Sequence, residues 1–418
     1  MEIYRFARVP FGVVSSPFLL AATVAHHLHL QNSDIAKDIV KNIYVDNVLL
    51  GAGSLEDAYL IYTEAKRMFR IASMNLREWA SNSTEFLEKL PRIDRAEGGI
   101  IKVLGMQWEM STDTLSIPLQ ALEGFDKILT KRDVLKRVAS VFDPLGIVSP
   151  LLLKVKLFLQ NLWKDKKDWD EPLSTDQVAE CTALFSTIQR VVNVRIPRYI
   201  GWGSDSLCDL HVFTDASSIA YCAVVYMLVI KENKNRVSLI FSKTRMAPIR
   251  AVSIPRLGLL AVTIGCRAVK FVESQLHLPI RKRVLWTDSQ CVLYWLHTKK
   301  ILTTFVENRI KEIKSDENIQ FRYINSIENP ADLGTRGCTS AELADSFWWG
   351  GPLWLMHSEE VWPNQKDLVT TEMIKKQESE IKRSSFLYQT SYFVEETLDS
   401  PPFGLKLEIF RCYLGFYV

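Results

Sequence analysis

Three aspartates stand in short contexts suited to metal chemistry: Asp215 in Phe213-Thr-Asp-Ala-Ser217, Asp288 in Trp286-Thr-Asp-Ser289 and Asp332 in Asn329-Pro-Ala-Asp332. Carboxylates drawn from distant segments are how a protein holds a pair of divalent cations for phosphodiester chemistry, because several anionic oxygens must offset the repulsion between the ions. Between the first two lies Pro255-Arg-Leu-Gly-Leu-Leu-Ala261, where a fourth acid is expected and Gly258 stands instead. A second polar pair, Asp46 and Asn47, interrupts the apolar residues of Ile43–Leu50. Each aspartate alone also reads as a turn or capping residue; Asp288 could serve the helix from Gln290, and Asp332 another.

The elements that must position these residues follow from periodicity. Serine ahead of Pro17 starts a helix running to about Leu30. Ile43–Leu50 reads as a β-hairpin with Asp46 and Asn47 at its tip. Ser54–Ser73 has helical spacing, with acids early and bases late. Asn75–Ala80 and Ile101–Met110 read as short strands, and Thr130–Val141 and Ser149–Trp163 as helices split by Phe142-Asp-Pro-Leu-Gly146. Strands are expected at Leu210–Thr214, Ala220–Ile230, Val237–Phe241, Val284–Thr287 and Gln320–Ile324. Helices are expected at Pro255–Gln275, Gln290–Thr298 and Thr303–Ser315. The order β-β-β-α-β-α-α-β predicts a mixed sheet with helices on both sides. Beyond Trp362 the chain turns polar and is expected to be poorly ordered.

At 418 residues the chain is long enough for two or three domains. Its 47% hydrophobic and 24% charged content is globular, and a net charge of +3 permits nucleic-acid binding through local patches without demanding it. Seven scattered cysteines contain no C-x-x-C pair, which argues for reduced intracellular thiols and against a zinc site. His26 and His27 lack metal-ligand neighbours and read as helix-surface residues. No apolar run approaches membrane-spanning length, so no membrane partner is expected. Arg245, Arg250, Arg256, Arg281, Lys282 and Arg283 could track a phosphate path. Trp286, Tyr294 and Trp295 read as core.

Tyr44-Val-Asp-Asn47 resembles the Y-x-D-D hairpin of reverse transcriptases, preceded by Val9-Pro-Phe-Gly12 and Ser16-Pro17 and followed by Asn75-Leu-Arg-Glu-Trp-Ala-Ser81. More narrowly, the chain resembles the polyprotein of BEL/Pao-type LTR retrotransposons from about Tyr4 to Trp362. Phe11-Gly-Val-Val-Ser-Ser-Pro-Phe18, Lys131-Arg132, Phe142-Asp-Pro-Leu-Gly146 and Ile254-Pro-Arg-Leu257 carry the resemblance. It continues through Asn329-Pro-Ala-Asp332, Thr335-Arg-Gly337 and Trp348-Trp-Gly-Gly-Pro-Leu-Trp354. The fold class implied is α/β and α+β multidomain. Its parts are a partial reverse-transcriptase palm and thumb over 1–125, a helical connector over 126–200, a ribonuclease H-like domain over 201–340, and a Trp-rich segment with its tail over 341–418.

The resemblance implies RNA-directed DNA polymerase and hybrid-cleaving ribonuclease H ancestry, with Mg²⁺ or Mn²⁺ as cofactor. The partners implied are RNA–DNA hybrid or template–primer nucleic acid and the remainder of the polyprotein. Asp215, Asp288 and Asp332 match the first, third and fourth acids of the nuclease. Gly258 falls where the family reads P-R-L-E-L-L, and Glu273, several turns along the same helix, cannot substitute. Asp46 matches one polymerase metal ligand, and Asn47 replaces the next acid. Polymerase activity is expected to be lost and nuclease activity impaired. No D-[ST]-G occurs, which excludes an aspartic peptidase dyad.

Overall fold

The computed structural model describes residues 9–10, 12–45, 47–119, 129–189, 194–203, 206–232, 235–276 and 278–363. Among the described residues the chain divides into two compact units, one built on residues up to Leu115 with Ile196–Tyr199, the other on Ser116–Arg195 and residues 200–363. The tail expected to be poorly ordered lies, from residue 364, outside the described residues.

In the first unit, α1 (Ser16–Leu30), α2 (Asp34–Asn42), β1 (Ile43–Tyr44), β2 (Asn47–Val48), α3 (Leu55–Ile71) and α4 (Thr84–Lys89) come in order. Val24, Leu28, Ala36, Ile39, Ala65, Met68 and Phe69 form its core. The buried Asp94 carboxylate accepts from Tyr62 Oη at 2.7 Å and Lys66 Nζ at 2.6 Å, which ties α3 to the chain beyond α4. Proline occupies the first turn of α1 as expected, but Ser15 sits at helical φ −81°, ψ −11° and its side chain makes no capping bond. The hairpin forms, but Tyr44 pairs with Asn47, so Asn47 is a strand residue rather than part of the tip. Asn75–Ala80 is not a strand; Trp79 makes an isolated bridge to Arg95. Ile101–Met110 folds back on itself as β3 (Ile100–Val103) and β4 (Met106–Glu109). The turn is Leu104-Gly105, both at positive φ (48° and 88°), the backbone that a tight two-residue hairpin requires. β5 (Thr114–Ser116) extends this sheet.

The second unit begins with α5 (Lys131–Ser140), started by a capping box between Thr130 and Asp133. α6 (Ser149–Lys164) and α7 (Thr175–Gln189) follow, the last unforeseen in the sequence. The chain then returns to the first unit, where β6 (Arg195–Pro197) completes the four-stranded sheet of β3, β4 and β5. Then come β7 (Leu207–Ala216), β8 (Ala220–Ile230), β9 (Arg236–Met246), α8 (Ile254–Leu276), β10 (Ile280–Thr287), α9 (Gln290–His297), α10 (Thr304–Lys314), β11 (Ile319–Tyr323), α11 (Ala331–Arg336) and α12 (Ser340–Ala344). The sheet order is β11-β10-β7-β8-β9. β7, β8 and β9 are antiparallel neighbours, whereas β10 runs parallel to both β7 and β11.

Strand alternation assigns the faces. A Cβ on Gly265 of α8 would meet Thr214 Cγ2 at 2.8 Å and Val212 Cγ1 at 3.4 Å, so α8 covers that face at close range. The other face carries Phe213 and Trp286, stacked at 6.0 Å, with Trp354 and Trp362 packed on Trp286 at 4.9 and 5.8 Å. Trp348 is fully buried, donates from Nε1 to Ile147 O at 2.9 Å, and accepts at its carbonyl from Tyr226 Oη at 2.6 Å. Residues 341–362, set apart in the sequence as their own segment, therefore pack as a wall of this domain. Trp286 and Trp295 are core, as expected.

The Phe142-Asp-Pro-Leu-Gly146 break docks onto β9. Ser242 N donates to Leu145 O at 2.8 Å and Ser242 Oγ donates to Gly146 O. Half-buried Asp143 accepts from the amides of Ile147 and Val148, both at 2.9 Å, and this fixes the turn into α6. Burial raises the Asp143 carboxyl to about 6. Gly146 has φ +74°, and a Cβ there would lie 2.0 Å from Ser242 O. Gly146→Ala is therefore expected to lower stability by about 2 kcal/mol or more, through left-handed strain and a backbone clash. Thermal unfolding against Gly350→Ala, where nothing lies within 4 Å, checks this.

Candidate active site

Asp215 is near the C-terminal end of β7 and Asp288 directly follows β10. Thr214 and Thr287 pair in the parallel ladder, so both acids emerge at the same end of adjacent strands. Asp332 arrives on α11, which is pinned to β7 from its own side. Asn329 Nδ2 donates to Thr214 O at 3.0 Å, while Asn329 Oδ1 accepts from Ala331 N at 3.2 Å and holds the turn into the helix. Ser217 Oγ donates to Thr335 O at 2.9 Å, and Thr335 Oγ1 donates to Asp215 Oδ2. A Cβ on Gly334 would meet Cys222 Sγ at 2.3 Å, which explains glycine where α11 presses on β8.

The capping alternatives for these aspartates fail. Ser289, not Asp288, caps α9, its side chain accepting from Val292 N. Asp332 lies inside α11, and its carboxylate pairs with Arg336, Oδ1 to Nε at 2.7 Å. Burial, then the Asp215 charge, then Asp332, raise the Asp288 carboxyl to about 7. Burial and then Asp215 also raise Asp332, against the opposing pull of Arg336. The three aspartates thus feel one another electrostatically, as convergence requires.

Gly258 lies in the second turn of α8 and faces this cluster. A Cβ there would stand 3.1 Å from Ser289 Oγ and 3.3 Å from Ser289 Cβ, beside Asp288. The position where the sequence lacks an acid is therefore at the site, with Ser289 packed against the glycine. Glu273, at the far end of α8, is bound to Arg283. Among the described residues, no group of three His, Cys, Asp or Glu side chains is arranged to hold a metal ion. Asp215 is hydrogen-bonded by Thr335 and Asp332 by Arg336, so the donor set present does not fit the two-cation site that the sequence implied.

Asn47 is exposed on β2 of the first unit, and Asp46 lies outside the described residues. Arg281, Lys282 and Arg283 do not form a phosphate path with the acids. They begin β10 at the opposite end of the strand and are paired with Asp209, Glu359 and Glu273. Arg256 is buried, with its guanidinium 5.4 Å from the Phe305 ring. Sequence reasoning assigned no role to Asn329, Thr335 or Arg336, although all three lie in motifs already noticed. Thr335 and Arg336 stand three and four residues after Asp332 on the same helix, and that spacing was the available signal.

The raised Asp288 carboxyl has a consequence for stability. Its folded pKa, about 7, exceeds the usual 3.8, so the unfolded chain releases its proton first as pH rises. Stability from the protonated form is complete below about pH 4 and is lost as pH rises through 7. In metal-free buffer, Asp288→Asn is expected to gain on the order of 1 kcal/mol or more over the parent at pH 8, and little at pH 4. Denaturant titrations at the two pH values check the sign.

Residues 130–289 match the family described as Pao retrotransposon-like RNaseH-like domain. No curated protein matches the chain. Among solved structures, the foamy viral protease–reverse transcriptase dRH in complex with double-stranded DNA is 11% identical with a TM-score of 0.47. That match covers 76% of this chain and 50% of the viral one, so the chain spans about half the length of that relative. RNase H1 from the halophilic archaeon Halobacterium salinarum NRC-1 is 10% identical over 33% of this chain and 97% of that one, with a TM-score of 0.23. LC11-RNase H1 in complex with an RNA/DNA hybrid is 13% identical over 30% and 91%, with a TM-score of 0.22. Asp215 and Asp288 lie inside the matched family segment and Asp332 beyond it. The family likeness of the chain is therefore to the Pao retrotransposon-like RNaseH-like domain, over residues 130–289.

Proposed function

We propose that the chain binds nucleic acid as a segment of a retrotransposon polyprotein derived from an RNA-directed DNA polymerase joined to an RNA–DNA hybrid ribonuclease, with hybrid cleavage impaired. The observation that carries the reading is Gly258. It sits against Ser289 at the acid cluster and supplies neither ligand nor charge. Loss of a catalytic group commonly costs several orders of magnitude in rate. In the polymerase half, Asn47 offers no negative charge beside Asp46, so DNA synthesis is also proposed to be lost.

Binding is supported by cations at the acid end of the sheet. β9 reaches that end where Met246 pairs with Ala220, and α8 starts at Ile254. Arg245 and the connecting Arg250 are both exposed there. The partners proposed are RNA–DNA hybrid or template–primer duplex and the rest of the polyprotein, in an intracellular setting. Among the described residues no helix is long and apolar enough to cross a membrane. Convergence of three aspartates favours one competing reading, a residual nuclease that needs Mg²⁺ or Mn²⁺.

A hybrid-cleavage assay with Mg²⁺ or Mn²⁺ tests the proposal. Salt-sensitive binding with little or no cleavage is expected. Efficient cleavage that Asp288→Asn abolishes would establish the residual nuclease instead. Reversion is predicted to need two changes. Gly258→Glu alone meets Ser289 and lowers the melting temperature, whereas Gly258→Glu with Ser289→Ala relieves the contact at a cost of about 1 kcal/mol for the lost α9 cap. Thermal unfolding reads the first effect. A cleavage rate raised at least about tenfold over the parent, equivalent to about 1.4 kcal/mol, reads the second.

A further inference from the structure

We infer that Arg336 is the resident counter-ion of the acid cluster, placed where a nucleic-acid phosphate would otherwise require a divalent cation, so that the chain engages an RNA–DNA hybrid without metal. This rests on the nucleic-acid-binding reading above and adds the residue that permits it. Three carboxylates at one strand end repel a phosphate, and something positive must stand between them. Two-cation nucleases use metal there. In this chain no group of three suitable side chains among the described residues fits an ion.

What stands at the cluster instead is α11. It supplies Asp332, the Thr335 hydroxyl bound to Asp215, and Arg336 on the next residue. Arg336 Nε lies 2.7 Å from Asp332 Oδ1, and its charge also favours the ionised form of Asp288. Its side chain is 70% exposed, so the guanidinium reaches solvent while one edge is held. A planar guanidinium can present one edge to a carboxylate and another to a phosphate, which an ammonium point charge does less well. The helix is fixed at both ends. Asn329 ties its start to β7, and Gly337 closes it at φ +71°, where a Cβ would lie 3.2 Å from Pro150 O of α6. Arg336 is therefore held in place by the fold. The cations that begin β10 are engaged at the opposite strand end and cannot take its role.

The test uses the full chain and a fluorescently labelled RNA–DNA hybrid, with binding and thermal unfolding measured in EDTA and in Mg²⁺. The parent is expected to bind equally well in both, within about twofold. Arg336→Gln is expected to bind about tenfold more weakly in EDTA, the size of one lost charge-assisted contact, and to recover partly with Mg²⁺. Arg336→Lys should fall between them. In unfolding, Arg336→Gln should lower the midpoint in EDTA, and the loss should disappear in an Asp332→Asn background. Parent binding that requires Mg²⁺, or Arg336→Gln binding like the parent in EDTA, overturns the inference while leaving nucleic-acid binding intact. If the parent binds under neither condition, the nucleic-acid-binding reading falls. The unfolding cycle then decides whether Arg336 neutralises the acids, and no coupling to Asp332 rejects it.

Discussion

Parallel pairing of β10 with β7 is the constraint on which the second unit depends. Antiparallel neighbours would send Asp215 and Asp288 to opposite ends of the sheet, whereas the parallel register from Arg283↔Leu210 to Thr287↔Thr214 delivers both to one edge. A parallel connection needs a crossover, and α8 provides it. Its close approach over Val212 and Thr214 depends on Gly265. The same crossover carries Gly258 past Ser289, so the helix that closes the sheet also brings the missing ligand position to the site. Asn329 and Thr335 then fasten α11 to the edge from the other face.

That face is covered by parts of the chain distant in sequence. The connector break at Gly146 seats on β9, and Trp348 bonds Ile147 across 201 residues. The aromatic layer of Phe213, Trp286, Trp354 and Trp362 fills the surface between them. Large rings remove much apolar area from water at small conformational cost, and they cover this face beside α6, which packs on β9 through Ser149. Arg322 and Lys282 meet Glu359 at the edge of this layer and hold the terminal turn on the sheet. The connector, the sheet and the tryptophan segment thus share one compact unit.

The acid cluster illustrates a general electrostatic economy. Carboxylates brought together in a half-buried place must take up protons, bind cations or find internal partners. Here Asp288 sits near a pKa of 7, Asp215 accepts from Thr335, and Asp332 pairs with Arg336. Each acid has an answer supplied by the chain. Gly258 removes a further negative charge from the same place, which makes that internal solution easier to satisfy.

Much of this was legible in the residues themselves. Period-two runs gave the strands β7, β8 and β9, period 3.6 gave α3, α5, α6 and α8, and the three aspartates with Gly258 were found by motif and order. Other elements escaped because local pattern does not carry them. The 101–110 stretch looked like one strand because Leu104-Gly105 differs from its neighbours by φ sign and not by hydropathy. α7 and α11 are short or weakly patterned and are held by what they pack on. Charge runs misled for Arg281, Lys282 and Arg283, since sequence shows the cations but not the acids that meet them. The sequence by itself determined which side chains exist, their order and the absence of a carboxylate at 258, because these are covalent facts with recognisable local spacing. Only the tertiary structure decided that Ser289 rests on Gly258, that Thr335 reaches Asp215 and brings the Asp332–Arg336 pair to it, and that the tryptophan segment walls the sheet. Those depend on distances between residues tens to hundreds of positions apart, which register and packing alone set.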